Sequence, residues 1–159
     1  MQPPGKGFSL VEILIVMIIL AIIGAIVLGQ YQGITARANE SCIRENLAMV
    51  RAQIQLYRHQ HAGFPSAAGF AAQMTQYTDA VGNAVATRDG SHPYGSYMER
   101  MPVNPVTNCV TVRGVTSVSV TFSAPATNAG WWYNEASGEF RPDLIDSLVD
   151  EHGTPYNRY

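Results

Sequence analysis

A long apolar run near the amino terminus constrains this chain more than any other feature. Between Phe8 and Gly29 the only charged side chain is Glu12. As an α-helix this segment is roughly 33 Å long, enough to cross the hydrocarbon core of a bilayer. An ionised carboxylate inside such a segment costs roughly 2.5–3.5 kcal/mol near the centre and less towards the interface. Because no other charge in the run can pair with Glu12, we expect its partner to come from a new terminus or another subunit.

Three kinds of membrane segment compete for residues 1–29. A secretory signal peptide has a shorter apolar region followed by a small-x-small cleavage site, and no convincing site follows this run. An ordinary signal anchor fits the length but gives no reason for Glu12. A leader cut on the cytoplasmic side, between Gly7 and Phe8, leaves the helix in place and creates an ammonium group at Phe8. Lys6 favours a cytoplasmic amino terminus.

Length, charge and motifs exclude several function classes. The leader and a helix through about residue 60 leave roughly 100 residues, enough for one small core but not for a large enzyme cleft. The formal net charge of -2 and the charged fraction of 14% give no electrostatic basis for nucleic-acid binding. The sequence has no phosphate-binding glycine loop, nucleophile elbow or Cys-x-x-Cys motif.

After the apolar run, the pattern predicts an amphipathic half-helix that packs under a small domain. Apolar residues recur at alternating steps of four and three, at Ile43, Leu47, Val50, Ile54 and Tyr57. The segment Gly63-Phe64-Pro65 predicts the end of the helix. One helix from about Phe8 to His61 would be roughly 80 Å long.

The remaining sequence predicts a short helix and a small sheet. We expect the helix around residues 67–77. Residues 109–112 and 115–122 alternate apolar side chains with Thr or Ser, and residues 130–142 predict a hairpin that turns at 135–138. Three or four antiparallel strands are sufficient to cover the amphipathic half-helix, so the predicted fold class is α+β.

An aromatic run in the predicted hairpin is the main candidate for a ligand-binding surface. Trp131, Trp132 and Tyr133 fit either a stacking or carbohydrate-binding surface or a core and subunit contact. Because successive residues of a strand face opposite sides, at least one of the three belongs to the core. We therefore favour the core interpretation.

Two cysteines, Cys42 and Cys109, lie far apart in the sequence. If the domain is exported, a disulfide between them would close a loop of about 68 residues and stabilise the fold by a few kcal/mol. The alternative is two small buried thiols. Spacing alone does not decide between them, because a bridge also requires the right geometry.

The segment Lys6-Gly7-Phe8-Ser9-Leu10-Val11-Glu12-Ile13-Leu14-Ile15-Val16 resembles the class III leader of type IV pilins and type II secretion pseudopilins. The resemblance implies that a prepilin peptidase cuts after Gly7 and N-methylates Phe8, and that Glu12 acts in subunit assembly. The end of the second half-helix is similar to that of major pseudopilins. Many family members carry a proline where this chain has Gly29, so we expect a glycine hinge between Gly29 and Gly33 instead.

The resemblance also implies an organisation in four parts. These are a cleaved leader at 1–7, a transmembrane or filament-core half-helix at 8–29, an amphipathic half-helix at 30–62 and a globular domain at 63–159. The implied product is a homo-oligomeric helical filament, and the chain is not expected to be an enzyme. Its partners would be the prepilin peptidase, the membrane, an inner-membrane assembly platform and minor pilins or pseudopilins.

The implied location is the inner membrane, crossed once, with the amino terminus cytoplasmic and the carboxy-terminal domain extracytoplasmic. Assembly would then give a periplasmic or cell-surface filament. No nucleic acid is expected as a partner.

The carboxy-terminal tail contains the only candidates for a bound ion. Major pseudopilins commonly hold calcium in a carboxy-terminal acidic loop, which makes Asp143, Asp146 and Asp150 calcium candidates. The apolar residues between them fit instead a short amphipathic helix with the acids on its solvated side. The glycine-rich spacing of such a loop is also missing, so no cofactor is the expected state.

Two other functions stay open beside the major pseudopilin of a type II secretion system. The nearest is a type IV pilin used for adhesion, motility or DNA uptake. The other, from a different class, is a signal-anchored extracytoplasmic module whose aromatic strand recognises a ligand.

Overall fold

One long helix, α1, spans Leu10–His61 and organises the whole chain. The computed structural model describes residues 9–117, 119, 122–123, 125 and 129–159, and for residues 27–33 it describes the backbone alone. Ala62 ends the helix in the left-handed conformation, with φ 56°. The predicted long helix and its end before Gly63 are therefore confirmed.

The backbone of α1 is continuous through its glycines, so the expected hinge between Gly29 and Gly33 is not present. Each glycine costs only about 1 kcal/mol relative to alanine in a helix, which is too little to interrupt one with good helix formers on both sides. Across the part of the chain that the structure describes, no helix combines the length and the hydropathy needed to cross a membrane.

The second half of α1 packs against the domain through the predicted apolar stripe. Its five members are each no more than 3% exposed: Ile43, Leu47, Val50, Ile54 and Tyr57. They belong to one core cluster with side chains from the rest of the chain, among them Phe70, Met74, Phe140 and Leu144. The stripe therefore forms one wall of the core, as the helical spacing predicts.

A short helix and a small hairpin follow α1. Helix α2 spans Phe70–Thr75, inside the predicted range, and buries Phe70 and Met74. Strand β1, Tyr77–Thr78, pairs antiparallel with β2, Ala84–Val85.

The main sheet has three strands in the order β3-β4-β5, with ranges Val112–Val115, Trp131–Asn134 and Glu139–Pro142. Strands β4 and β5 form the predicted antiparallel hairpin. Strand β3 instead runs parallel to β4. Parallel strands require a connection of a dozen or more residues, and residues 116–130 separate these two strands in the sequence. The α+β fold class is confirmed, with a mixed sheet.

Strand β3 lies between the two strands expected at 109–112 and 115–122. Positions 118, 120 and 121 of the second expected strand lie outside the described residues. The observed strand, Val112–Val115, joins the end of the first expected strand to the start of the second, and it pairs with β4 along its whole length.

Arg51 ties the helix to the sheet and to the chain end. Its guanidinium donates two hydrogen bonds to the carbonyl oxygen of Phe140, at 3.1 and 2.8 Å, and one to the carbonyl oxygen of Tyr159, at 2.6 Å. Desolvation by burial lowers the pKa of Arg51, although the group stays charged at any physiological pH. A single side chain on α1 thus fixes both β5 and the carboxy-terminal residue.

The packing predicts different costs for two substitutions on α1. Ile54→Ala should lower the free energy of unfolding by about 2–5 kcal/mol, because it leaves a cavity in the core. Leu56→Ala, at a side chain that is 43% exposed, should change it by less than about 0.5 kcal/mol. Denaturation of the full chain in detergent, followed by tryptophan fluorescence, measures both values. Equal losses for the two variants would contradict the assigned helix face.

Candidate functional site

The first half of α1 presents apolar side chains that no other residue in the described part of the chain covers. The large hydrophobic residues from Leu10 to Ile26 are between 48% and 84% exposed. A continuous apolar surface of this kind marks a site of contact with a membrane or with other proteins. It is the largest exposed apolar surface among the described residues, and it is therefore the first part of the candidate site.

Glu12 lies at the amino-terminal end of this surface. Its carboxylate accepts a hydrogen bond at 3.1 Å from the backbone N–H of Ser9, the residue that caps α1. A carboxylate in the first turn is also favoured by the helix dipole. Gly7 and Phe8, the expected cleavage and methylation positions, lie outside the described residues. The amino group of a cut chain would nevertheless be one residue from Ser9, and so next to the end of the helix that holds Glu12.

The three aromatic residues of β4 are all fully buried. Trp131 donates from Nε1 to the carbonyl oxygen of Pro102 at 2.8 Å, and the Tyr133 hydroxyl donates to the carbonyl oxygen of Pro65 at 2.8 Å. Trp132, on the other face, meets the ring of Phe122 edge-on at 5.4 Å. The core interpretation is confirmed for all three, because β4 is covered on both faces. They offer no exposed stacking platform.

Asp143, the first calcium candidate, forms an ion pair with Arg113, in which the carboxylate is buried and the guanidinium is partly exposed. Its side chain is fully buried, and its two carboxylate oxygens accept hydrogen bonds from Arg113 at 2.8 and 2.5 Å. The hydrogen bond with Asp143 raises the pKa of Arg113. Paired donors that match both oxygens of a carboxylate make this a strong and directional contact. It connects β3 to the start of the tail.

Asp146 and Asp150 are held by other partners. Asp146 accepts a hydrogen bond from the Asn157 amide at 2.8 Å. Asp150 accepts one at 2.5 Å from the hydroxyl of Tyr159, which lowers the pKa of the carboxyl, and it also accepts two backbone N–H groups of the following turn. The short helix expected between these acids does not form. Asp146 and Asp150 bind Asn157 and Tyr159 of the same tail instead.

No group of three or more His, Cys, Asp or Glu side chains in the described part of the chain is arranged to hold a metal ion. The three acids therefore act as separate structural contacts in this structure. Calcium binding at Asp143, Asp146 and Asp150 stays a prediction of the family resemblance alone.

The two cysteines are free, partly exposed thiols in the structure. The Asn46 amide contacts Cys42 Sγ at 3.6 Å, and Cys109 Sγ lies 3.1 Å from the hydroxyl of Thr111. That contact with Thr111 lowers the pKa of Cys109. Cys42 and Val110 line the same groove. The bridge between Cys42 and Cys109 stays a prediction.

The amino-terminal segment matches the family model described as the prokaryotic N-terminal methylation motif, over residues 5–28. This range contains Gly7, Phe8 and Glu12 and covers the exposed apolar half of α1. The match supports a type IV pilin-like protein, whose leader is processed by a prepilin peptidase and which assembles into filaments with other pilins. No curated protein and no solved structure matches the chain significantly.

The pair between Arg113 and the fully buried carboxylate of Asp143 should contribute more to stability than the pair between Arg141 and Glu139, whose carboxylate is 35% exposed. Arg113→Ala should destabilise the domain by about 3 kcal/mol or more, because it leaves a buried carboxylate without its partner. Arg141→Ala, which removes the partly exposed pair with Glu139, should cost less than about 1 kcal/mol. Urea denaturation of both variants beside the unmodified chain gives the comparison. A smaller loss for Arg113→Ala than for Arg141→Ala would contradict the assigned role.

The partners of the tail carboxylates also predict the response to calcium. A ligand that binds only the folded state raises the free energy of unfolding, and the increase grows with the logarithm of the ligand concentration above its Kd. Because Asp143, Asp146 and Asp150 are each held by a different partner, we expect millimolar calcium to leave the thermal midpoint unchanged. Differential scanning calorimetry with calcium or with chelator tests this. A calcium-dependent rise in midpoint that Asp146→Ala abolishes would show a site that the tail can form.

Proposed function

We propose that this chain is a structural subunit of a type II secretion pseudopilus, or of a closely related type IV pilus-like filament, that polymerises through α1. One observation carries the proposal. The methylation motif coincides with a half-helix whose apolar side chains are left exposed by the described residues, while the other half of the same helix is packed into a domain. Such a subunit has a buried core in its domain, but the first half of its helix needs another molecule to cover its apolar side chains.

Before assembly, the proposed location of the subunit is the inner membrane, with the first half of α1 inserted in the bilayer. The segment from Phe8 to Gly29 carries one charge, and a helix of that length matches a bilayer core. The proposed topology places the amino terminus in the cytoplasm and residues 63–159 outside the inner membrane. Assembly then exchanges lipid for the apolar half-helices of other subunits, a process driven by packing and polar contacts rather than by a new hydrophobic gain.

Glu12 sets the axial position of one subunit against the next in this proposal. Its carboxylate already lies at the end of the helix, where it accepts the N–H of Ser9. An ammonium at Phe8 of a neighbouring subunit would be a stronger partner, since opposite charges attract strongly in a low-dielectric environment. A carboxylate left without a cation there pays for its desolvation. The pair would therefore favour one register among otherwise uniform apolar helices.

The globular domain forms the outer wall of the proposed filament and performs no catalysis. Its core is closed by the aromatic residues of β4, and its tail acids hold structural contacts. The chain is itself the substrate of the prepilin peptidase. The proposed partners are further copies of the chain, minor pilins or pseudopilins and the inner-membrane assembly platform.

A type IV pilin for adhesion, motility or DNA uptake is the second candidate, because it uses the same motif and the same exposed half-helix. Deleting the gene separates the two. Loss of exported enzymes from the medium with surface filaments retained favours the secretion role, and loss of surface filaments with secretion retained favours the pilus. The binding-module alternative depended on an exposed aromatic strand, which the structure does not have.

Processing and register give a sharp test. Gly7→Ala should block cleavage, so that the amino-terminal peptide keeps the mass of a chain beginning at Met1. In the unmodified chain the mass should be that of a peptide beginning with methylated Phe8. Glu12→Gln should be processed normally but reduce the filament yield by at least about tenfold, because a charge pair in a low-dielectric environment is lost.

Glu45→Gln makes the same chemical change at an exposed position of the amphipathic half-helix and serves as the control. It should leave both processing and filament yield unchanged. Mass spectrometry of the amino-terminal peptide and the mass of sheared filaments supply the two readouts. A mature protein that begins at Met1, or full filament yield from Glu12→Gln, would refute the proposal.

A further inference from the structure

We propose that a cleft at the end of α1 binds a neutral sugar ring, either as a free monosaccharide or as the terminal unit of a glycan. The cleft lies between the last turn of α1, the loop that follows it, α2 and the β1–β2 turn. Its volume is about 370 Å³, which is in the lower part of the range of roughly 300–1,000 Å³ for small-molecule sites. The residues that matter for binding are Tyr57, His61, Phe64, Ser66 and Gln73. Such a site would be a second function, independent of filament assembly through α1.

The Tyr57 hydroxyl is a nearly buried polar group without a partner in the fold. Tyr57 is 3% exposed, and no other described residue forms a hydrogen bond with its hydroxyl. Among the described residues, the only unpartnered polar side-chain atom that is sealed inside the protein is Trp132 Nε1. The Tyr57 oxygen is therefore reachable from the cleft that its side chain lines. A hydroxyl in this position has already lost most of its water, and a ligand that hydrogen-bonds to it compensates for that loss.

The position of the hydroxyl is fixed by the β1–β2 turn. A Cβ on Gly82 would lie 2.6 Å from the Tyr57 oxygen and 2.9 Å from Gln73 Nε2, so the two polar groups flank the same glycine. Burial raises the pKa of Tyr57 to about 12. The hydroxyl therefore keeps its proton at neutral pH and can both donate and accept a hydrogen bond.

Gln73 supplies a second, rigidly held donor. Its Oε1 accepts the N–H of Ser66 at 2.7 Å, and its Nε2 donates to the carbonyl oxygen of Gly82 at 2.8 Å. The side-chain amide has two hydrogens on Nε2, and no described residue accepts the second one. A group that accepts from Gln73 and exchanges a hydrogen bond with Tyr57 must be able to donate and accept, as a sugar hydroxyl does.

Aromatic rings provide the apolar part of the cleft. The rings of Tyr57 and His61 are stacked with their centroids 4.0 Å apart. Phe64 is held by the guanidinium of Arg58, which lies 4.6 Å above its ring, and by Gly138, where a side chain would collide with it. Rigid aromatic faces of this kind suit the C–H groups of a sugar ring, since they offer apolar area with a negative face at little cost in entropy.

The charge of the cleft excludes ionic ligands. Its described lining contains no Asp, Glu, Lys or Arg. Nε2 of His61, the lining imidazole, already contacts the Tyr97 hydroxyl at 2.9 Å. The Asp79 carboxylate in the adjoining turn is also occupied, because it accepts the N–H groups of Val81 and Asn83. A charged ligand would lose hydration here without gaining an ion pair, whereas a neutral hydroxylated ring would not.

Nuclear magnetic resonance of the full chain tests the site. The isotopically labelled protein is kept in a phosphocholine detergent, because glucoside and maltoside detergents themselves carry sugars. Glucose, galactose and N-acetylglucosamine are titrated as free sugars and as β-linked trisaccharides. At least one should shift the Gln73 side-chain amide and the Gly82 N–H signals, with a Kd of about 1–10 mM. Glucuronate, the charged control, should bind at least about fivefold more weakly than glucose.

Two variants assign the binding to the cleft. Tyr57→Phe removes only the hydroxyl and should raise the Kd about fivefold, the effect of one ordinary hydrogen bond. Because that hydroxyl has no partner in the fold, the thermal midpoint should not fall. Phe64→Leu keeps apolar volume but removes the ring, and it should also raise the Kd. Tyr156→Phe is the matched control, since Tyr156 is 5% exposed and lines a different groove. It should leave the Kd unchanged.

The trisaccharides distinguish the two sources of the ligand. A trisaccharide that binds at least as tightly as its monosaccharide identifies the end of a glycan, and one that is excluded identifies a free sugar. Either result supports the site. The proposal is overturned if no probe shifts the Gln73 and Gly82 signals, if Tyr57→Phe binds like the unmodified chain, or if glucuronate binds as tightly as glucose. Filament yield should be the same for Tyr57→Phe and the unmodified chain, so these outcomes leave the filament proposal untouched.

Discussion

The contact between the second half of α1 and the β4–β5 hairpin holds the molecule together. The helix contributes one apolar stripe, and the hairpin contributes stacked rings, with Trp131 and Phe140 5.3 Å apart. Phe70 of α2 packs on Phe140 and Tyr133 and closes the third side. Arg51 adds direction to this otherwise non-directional packing, because its three hydrogen bonds fix where β5 and the chain end lie on the helix. The position of the rest of the domain along α1 therefore depends on this contact.

That contact involves only the second half of α1, and the proposed function depends on the exposed first half. A domain of this size covers the helix from about Ile43 to Tyr57, whereas Leu10–Ile26 extends past it with its apolar side chains exposed. Apolar surface of this extent is not stable in water on its own. In the proposed function, lipid and other copies of the chain would each bury this surface, so membrane insertion and filament assembly would be alternative states of it. Under that proposal Glu12 would distinguish the two states, because only a filament would offer it a cation from another chain.

Sequence reasoning succeeded where the information is local and failed where it is not. The helix stripe follows from a spacing of three and four, and the hairpin turn from the segment ending in Gly138, whose φ is 72°. The parallel pairing of β3 depends on a crossover that no local pattern encodes. The tail acids were calcium candidates from the family resemblance, and their spacing fitted a short amphipathic helix. In the structure Asp143 pairs with Arg113 and Asp150 with Tyr159, partners that only the folded chain brings near. Cleavage after Gly7 follows from a short motif alone and stays a prediction.

The carboxy-terminal tail fixes the shape of a groove beside α1 through contacts that also hold the domain to the helix. Leu148 and Val149 form one wall of the groove beside α1. The same segment is closed by the backbone bond from Tyr156 N–H to Leu148 oxygen at 3.0 Å and is anchored by Tyr159, which binds Asp150 and lies under the guanidinium of Arg44 at 4.6 Å. Because these anchors reach back to α1, the groove keeps a fixed position on the helix.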